Sequence, residues 1–372
     1  MTIRLKLLTT FLAIAIIPVI IVSALSLYNA ENSLERAALS GLSLSAQAKK
    51  AQLLEYLSGK KGRTIDFASD GFIRDQVELI AQGPDIKQKI ASSKILNAHL
   101  KLNKKTLDEE IVEIRLLDVE GKIIATTEGD FLLGLDTGKN QPYFLKGLEK
   151  TYVQDAGIFM HYGTEKEVLA IGTPLKSRSG AKTIGVLVNF YSLDNIKDVL
   201  LDIRGHQWGR QGQPQPGNLS WDIFLTNQQG LLITPSKKIS DYQPLKIKIN
   251  TEPVIKGAEA SLAINQAWID LKGNKVFGAS AIVQIEKDWK WILAAEQDKK
   301  EVLAPIYALR RLSILTGLIT LLLTALIAFL IAKTISRPIR EITIVSERIS
   351  KGQSNARIDI RARNELGKLA EA

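Results

Sequence analysis

Two uncharged apolar runs bracket most of the chain and constrain it more than any other feature. They are LLTTFLAIAIIPVIIVSALSL (7–27) and LSILTGLITLLLTALIAFLIA (312–332), each 21 residues long. A hydrocarbon layer about 30 Å thick needs about 20 helical residues, so either run is long enough to cross it. The few Ser and Thr within them can bond back to their own helix. The first run has two readings, an uncleaved anchor and a cleaved leader. Its apolar stretch exceeds the ~7–15 residues of a leader core and no clear small-x-small site follows, which favours the anchor. A buried core helix is the alternative for the second run, and its length disfavours that. Arg4 and Lys6 precede the first run, and Lys333, Arg337 and Arg340 follow the second. Positive flanks mark the cytoplasmic side, so both termini are expected inside and residues 28–311 outside. Arg310 and Arg311 oppose this but are outvoted. The expected division is a cytoplasmic start at 1–6, spans at 7–28 and 312–332, a periplasmic or extracellular segment at 29–311, and a cytoplasmic segment at 333–372.

The net charge of +10 is not gathered into a nucleic-acid surface. Residues 333–372 hold nine Lys/Arg and five Asp/Glu, Arg4 and Lys6 add two charges, and the remaining +4 is spread over roughly 300 residues. No nucleic-acid partner is expected. The absence of cysteine excludes disulfides, thiol catalysis and thiolate metal sites. His99, His161 and His206 lie in unrelated contexts, and neither a phosphate loop nor a nucleophile elbow occurs. No catalytic residue, cofactor or metal is therefore expected in these residues. DEEIVE (108–113) reads as a solvated strand edge, and HYGTEKE (161–167) as a polar hairpin tip.

Between the runs, residues 29–105 show helical periodicity, predicting one long helix with a break or bend near Gly59–Gly62 and a second helical stretch around 85–103. The pattern then changes to strands. IVEIRLLDVEGKIIATT (111–127) is two strand-like runs about a turn at Glu120–Gly121, and SWDIFLTNQQGLLITP (220–235) repeats it. Ile114, Leu116 and Gly121 align with Ile223, Leu225 and Gly230 at an offset of 109. Val168 aligns with Val276 at 108 and Leu187 with Leu293 at 106. Three ordered matches at nearly constant offset point to two copies of one α+β module, joined by the linker GHQWGRQGQPQPGN (205–218).

This layout resembles the double Cache family of extracytoplasmic sensors over about residues 30–305. The resemblance rests on LLDVEGKIIATT, QPYFLKGL (141–148), TYVQDAG (151–157), LAIGTPL (169–175) and IGVLVNFYSLDNI (184–196). It implies an α+β fold: a long N-terminal helix, then two tandem PAS-like modules, distal at about 60–200 and proximal at about 218–300. It also implies a small-molecule site in the distal module. Amino-acid-binding members hold the carboxylate with an Arg and the amino group with an Asp. Those positions are Gln141 and Phe190 here, while the aromatic walls remain as Tyr143 and Phe144. With Tyr152 and Asp155, these six form the expected ligand-binding set. A mostly neutral, aromatic pocket for a less charged molecule is one reading, and a ligand-free aromatic core is the other.

The tail AKTISRPIREITIVSERISKGQSNARIDIRARNELGKLAEA (332–372) places Pro338 where a helix can begin. Ile339, Ile342 and Ile349 follow as a coiled-coil-like seam, Gly352 ends that helix, and Asn364 and Glu365 open another. This resembles a HAMP domain, incomplete at its C-terminal end, with NELG (364–367) standing for the family's Asp-Glu-Leu-Gly. A short amphipathic tail on the inner leaflet is the alternative. The HAMP resemblance implies a homodimer, because two helices cannot bury such seams alone. It also implies a chemotaxis or kinase output downstream, and relay roles for Pro338, Ile339, Ile342, Ile349, Gly352 and Glu365. Taken together, the resemblances imply a transmembrane receptor of a bacterial inner (cell) membrane, in contact with the bilayer, its small-molecule ligand and cytoplasmic signalling partners. The alternative is a membrane-tethered binding or structural protein without output.

Overall fold

The computed structural model describes residues 3–83, 85–135, 138–161, 164–201 and 220–351. The chain divides into two compact units, Arg36–Val302 and the pair Met1–Glu35 with Leu303–Ala372. Helix α1 runs Ile3–Ser69 without interruption. The break expected near Gly59–Gly62 is absent, because both glycines face open space and cost the helix only their weak propensity. The chain turns at Asp70 instead. Its extended backbone and its carboxylate, which accepts from Phe72 N (2.8 Å) and Ile73 N (3.2 Å), cap α2 (Gly71–Gln82). Helix α3 (Ile86–His99) follows and continues into a wider turn, Leu100–Lys104.

The strand region begins with β1 (Ile111–Leu117) and β2 (Ile123–Thr126), then the single turn α4 (Pro142–Leu145), β3 (Tyr152–His161), β4 (Thr164–Lys176), β5 (Thr183–Ser192) and α5 (Asp194–Leu201). The linker 205–218 lies outside the described residues. The second set comprises β6 (Asp222–Asn227), α6 (Glu252–Ala260), β7 (Asn265–Ile269), β8 (Lys275–Glu286) and β9 (Trp289–Asp298). The short α7 (Lys299–Val302) precedes the long α8 (Ala304–Ser350). Two antiparallel sheets result, ordered β2-β1-β5-β4-β3 and β6-β9-β8-β7. Apart from β2 their orders coincide, as the repeat predicts. The first turns match atom for atom. Asp118 Oδ1 accepts from the amides of Glu120 and Lys122, and Asn227 Oδ1 from those of Gln229 and Leu231. Gly121 (φ 87°) and Gly230 (φ 80°) supply the left-handed residue that each turn needs.

One face of the first sheet packs on α1. Asn189 Nδ2 donates to Thr64 Oγ1 at 3.1 Å, and the Tyr191 hydroxyl lies 3.4 Å from the same oxygen. The acidic run 108–113 is not a solvated edge. Lys60 pairs with both Asp108 and Glu110 at 2.8 Å, and Glu113 is buried because β1 lies between β2 and β5.

Two helices are long and apolar enough to cross a membrane: the start of α1, from Thr9, and Ala304–Ile331 of α8. Pro338 does not begin a new helix, since α8 passes through it to Ser350. One lost N–H bond does not outweigh the rest of a 47-residue helix. Ile339, Ile342 and Val345 are half-buried, whereas Arg340, Thr343 and Ile344 are exposed. The side chains of Pro338 and Ile349, and all of Gly352, Asn364 and Glu365, lie outside the described residues.

Candidate functional site

Strand register places Glu113, Arg115 and Leu117 of β1 beside Phe190, Val188 and Val186 of β5, with Ala170 and Gly172 of β4 opposite Phe190 and Val188. Side chains alternate between faces, so these residues share the face opposite α1. Helix α4 lies across it and presses Tyr143 and Phe144 onto the strands, both under 5% exposed. This approach explains the glycine of LAIGTPL. A Cβ on Gly172 would stand 2.0 Å from the Tyr143 carbonyl oxygen.

The aromatic rings close around a guanidinium. Tyr143 meets Phe190 edge-on, with centroids 5.5 Å apart and planes at 81°, while Phe159 stacks on Phe190 at 4.6 Å. The Arg115 Cζ sits 4.7 Å from the Phe159 centroid and 5.0 Å from that of Phe190. Its Nε and Nη2 donate to the two Glu113 oxygens at 2.6 and 2.9 Å. Thr126 Oγ1 donates to Glu113 Oε1 at 2.9 Å. The ion pair is almost fully buried, with Arg115 at 4% and Glu113 at 1% exposure. Such a pair is tolerable only with this two-pronged geometry and added donors. Burial raises the Tyr143 hydroxyl above its ordinary pKa, and the nearby Glu113 charge adds to this while Arg115 opposes it.

The cluster, part of a buried core, is therefore not built from neutral residues alone, as both sequence readings had it, but is neutralised internally. Arg115 and Glu113 were missed, although their signal is present. Two opposite charges at i and i+2 in the apolar strand IVEIRLL must share one face, and an interior strand leaves that face no water.

The six expected site residues separate. Tyr143, Phe144 and Phe190 come together in the aromatic box. Gln141 sits exposed at its rim, where its Oε1 accepts from Gln154 Nε2 at 3.3 Å, and Gln154 Oε1 accepts from Tyr143 N at 3.0 Å. Tyr152 and Asp155 turn instead to the β8–β9 hairpin. The Tyr152 hydroxyl donates to Asp288 Oδ2 at 2.9 Å, and Lys146 pairs with the same carboxylate. Trp291 Nε1 donates to Asp155 Oδ1 at 2.6 Å, and Trp289 Nε1 to the Val153 carbonyl at 3.0 Å. A bulge in β3 after Gln154 makes this possible by breaking the alternation that would hold Asp155 in register. Burial lifts the Asp155 carboxyl to about 6, against the opposing bonds from Trp291 and the Ala156 amide. Tyr152 and Asp155 thus belong to the junction of the two sheets rather than to the aromatic box.

Comparison with known families identifies the other functional segment. Residues 330–372 match the HAMP domain. The HAMP segment starts within the last turn of the apolar stretch of α8, three residues before the boundary expected at 333. No curated protein sequence matches the chain. Among solved structures, the chain is similar to the ligand-binding domain of the Campylobacter jejuni chemoreceptor Tlp3 in complex with L-norvaline (14% identity, 73% of this chain and 94% of that one, TM-score 0.47). It is also similar to the ligand-binding domain of the Pseudomonas aeruginosa amino acid chemoreceptor PctB in complex with L-Arg (15%, 70% and 94%, TM-score 0.42). A third is the extracellular domain of the putative histidine kinase soHK1S-Z6 (15%, 73% and 98%, TM-score 0.45).

Proposed function

We propose that the chain is the sensory part of a transmembrane receptor. Its first sheet module takes a small extracytoplasmic molecule, and its HAMP segment passes the response to a cytoplasmic output. The observation that carries this reading is the HAMP match beginning at the end of a 28-residue apolar helix, in a chain that has a second such helix near its start. A HAMP segment has no role without a moving helix to read and a partner to inform. The ligand surface is the aromatic box of Tyr143, Phe144, Phe159 and Phe190 over the Arg115–Glu113 pair. Phe159 is the least buried ring of the four, and its displacement would open the box. Since the guanidinium already has its carboxylate, the reading favours a neutral or aromatic ligand over a zwitterion. A ligand shifts such a receptor only through different affinities for its two states.

Two HAMP helices cannot bury their seams alone, so the receptor functions as a homodimer joined through Ile339, Ile342 and Ile349. Both termini are cytoplasmic and residues 28–311 face outward.

The chain has no cysteine, so single cysteines report cleanly. In intact cells, an impermeant thiol reagent is expected to label Ser220→Cys and to spare Ser354→Cys, and the reverse pattern overturns the topology. Under mild oxidation Ile342→Cys is expected to crosslink between chains several-fold more than Arg340→Cys, and equal yields remove the seam.

A further inference from the structure

The two sheets can be compared position by position. The offsets that relate the repeats carry Glu113 to Asp222, Phe190 to Glu296 and Ala170 to Gly278. The ladders agree independently. Glu113 and Ala170 flank Phe190 in the first sheet, and Asp222 and Gly278 flank Glu296 in the second. The face that carries an aromatic box in one module therefore carries carboxylates in the other.

These carboxylates enclose an ammonium that does not come from the sheet. Lys238 belongs to the loop after β6, and only 9% of its side chain is exposed. Its Nζ lies 2.5 Å from Asp270 Oδ2 and 3.2 Å from Asp298 Oδ1. Glu296 Oε1 pairs with it at 3.1 Å and is itself almost fully buried. The other Glu296 oxygen accepts from Trp268 Nε1 at 2.9 Å. Asp222 accepts from the Ser236 hydroxyl and the Lys237 amide, which fixes the turn that delivers Lys238. One cation thus meets Asp270, Glu296 and Asp298, with Asp222 adjoining. Asp270 lies below the ordinary carboxylate range because hydrogen bonds from Lys238, Asn274 and Lys272 outweigh its burial. Glu296 lies above it because burial outweighs Lys238 and Trp268.

We propose that the second module contains a primary-ammonium site at the position equivalent to Phe190, and that Lys238 fills it as a ligand carried by the chain itself. The lysine clasps the loop 231–250 to the sheet and closes this module to external amines, leaving the first module as the one that takes a ligand. The assignment does not depend on what the first module binds.

The test uses the full chain in detergent, read by thermal unfolding. Lys238→Ala removes a propylammonium fragment from a cage that retains its carboxylates. Its Tm is expected to fall by about 10 °C, because Asp270, Glu296 and Asp298 lose the cation they share. Propylammonium chloride at tens of millimolar is expected to restore about 3 °C to this variant. It should leave the wild type unmoved, and neither 1-propanol nor sodium chloride should substitute for it. Equal responses of variant and wild type, or no response in a folded Lys238→Ala protein, overturn the proposal. If Lys238→Ala does not fold, Lys238→Met decides. Its stem fills the space without charge, so Asp222, Asp270, Glu296 and Asp298 repel one another. Its Tm relative to wild type is then expected to rise as pH falls from 8 to 5. Parallel profiles for the two proteins overturn the assignment.

Discussion

The first and second sheets share strand order and turn chemistry, yet they fill the same face in opposite ways. In the first, a strand-borne Arg115–Glu113 pair is covered by Tyr143, Phe144, Phe159 and Phe190. In the second, the loop-borne Lys238 is enclosed by acids. The glycines show the same reciprocity. Gly172 admits the Tyr143 carbonyl where the second sheet has Ser280, and Gly278 admits the Trp268 ring, 2.1 Å from a built Cβ, where the first has Ala170. A duplicated backbone therefore sets which positions share that face. A few side chains at equivalent positions decide whether rings or carboxylates fill it.

The largest expected effect breaks the first module's charge pair. Arg115→Ala leaves Glu113 buried without its cation and is expected to cost about 3–5 kcal/mol. The double variant with Glu113→Ala should cost less than the sum of the singles. Chemical denaturation of the four proteins measures this, and additive losses would mean that the pair is not coupled.

Exchanging the small residues sharpens the comparison. Gly172→Ser and Gly278→Ala each import the other module's residue, and each is expected to lose about 2–3 kcal/mol by overpacking. Gly172→Ser must displace the α4 backbone, whereas Gly278→Ala must tilt only the Trp268 side chain. Trp268 fluorescence should thus change in the second variant and not in the first.

A smaller effect lies at the junction between the sheets. Folding raises the Asp155 value from an ordinary 3.8 to about 6. The folded state therefore binds the proton more tightly than the unfolded chain. The resulting stability is fully present below about pH 4 and is lost as pH rises through 6. Asp155→Asn keeps an acceptor for Trp291 without titrating. Relative to wild type it should gain about 2 kcal/mol between pH 4 and pH 7. A constant difference across that range would show that Asp155 does not titrate at the junction.

Much of the architecture was legible in the sequence, and the reasons are local. The apolar runs announce α1 and α8, and the Gly121 and Gly230 turns with their flanking strands announce two modules of one topology. Tyr143, Phe144 and Phe190 could be placed in one cluster only through the double Cache resemblance, which implies one shared site for them. The misreadings came from long-range effects. Asp155 left the cluster through a bulge that no periodicity reveals. Glu113 looked solvated until strand order put β1 in the interior. Lys238 is one of two adjacent lysines in a polar loop, and only the folded loop selects it over exposed Lys237. Gly59 and Gly62 suggested a break, but a glycine weakens a helix without ending it.

The most direct test of the central claim is a thermal-shift screen of the full chain in detergent. One arm holds standard α-amino acids, and the other holds neutral and aromatic metabolites. The account predicts no shift with amino acids at micromolar concentration. Losing the ionic contacts at the two ends of a zwitterion costs about 2–5 kcal/mol per contact, a large part of the roughly 8 kcal/mol of a micromolar complex. It predicts a shift with a neutral or aromatic compound that Tyr143→Ala abolishes and Lys238→Met leaves in place. A micromolar shift with a standard amino acid, lost on changing Gln141, would contradict it, as would a shift that survives Tyr143→Ala and disappears with Lys238→Met.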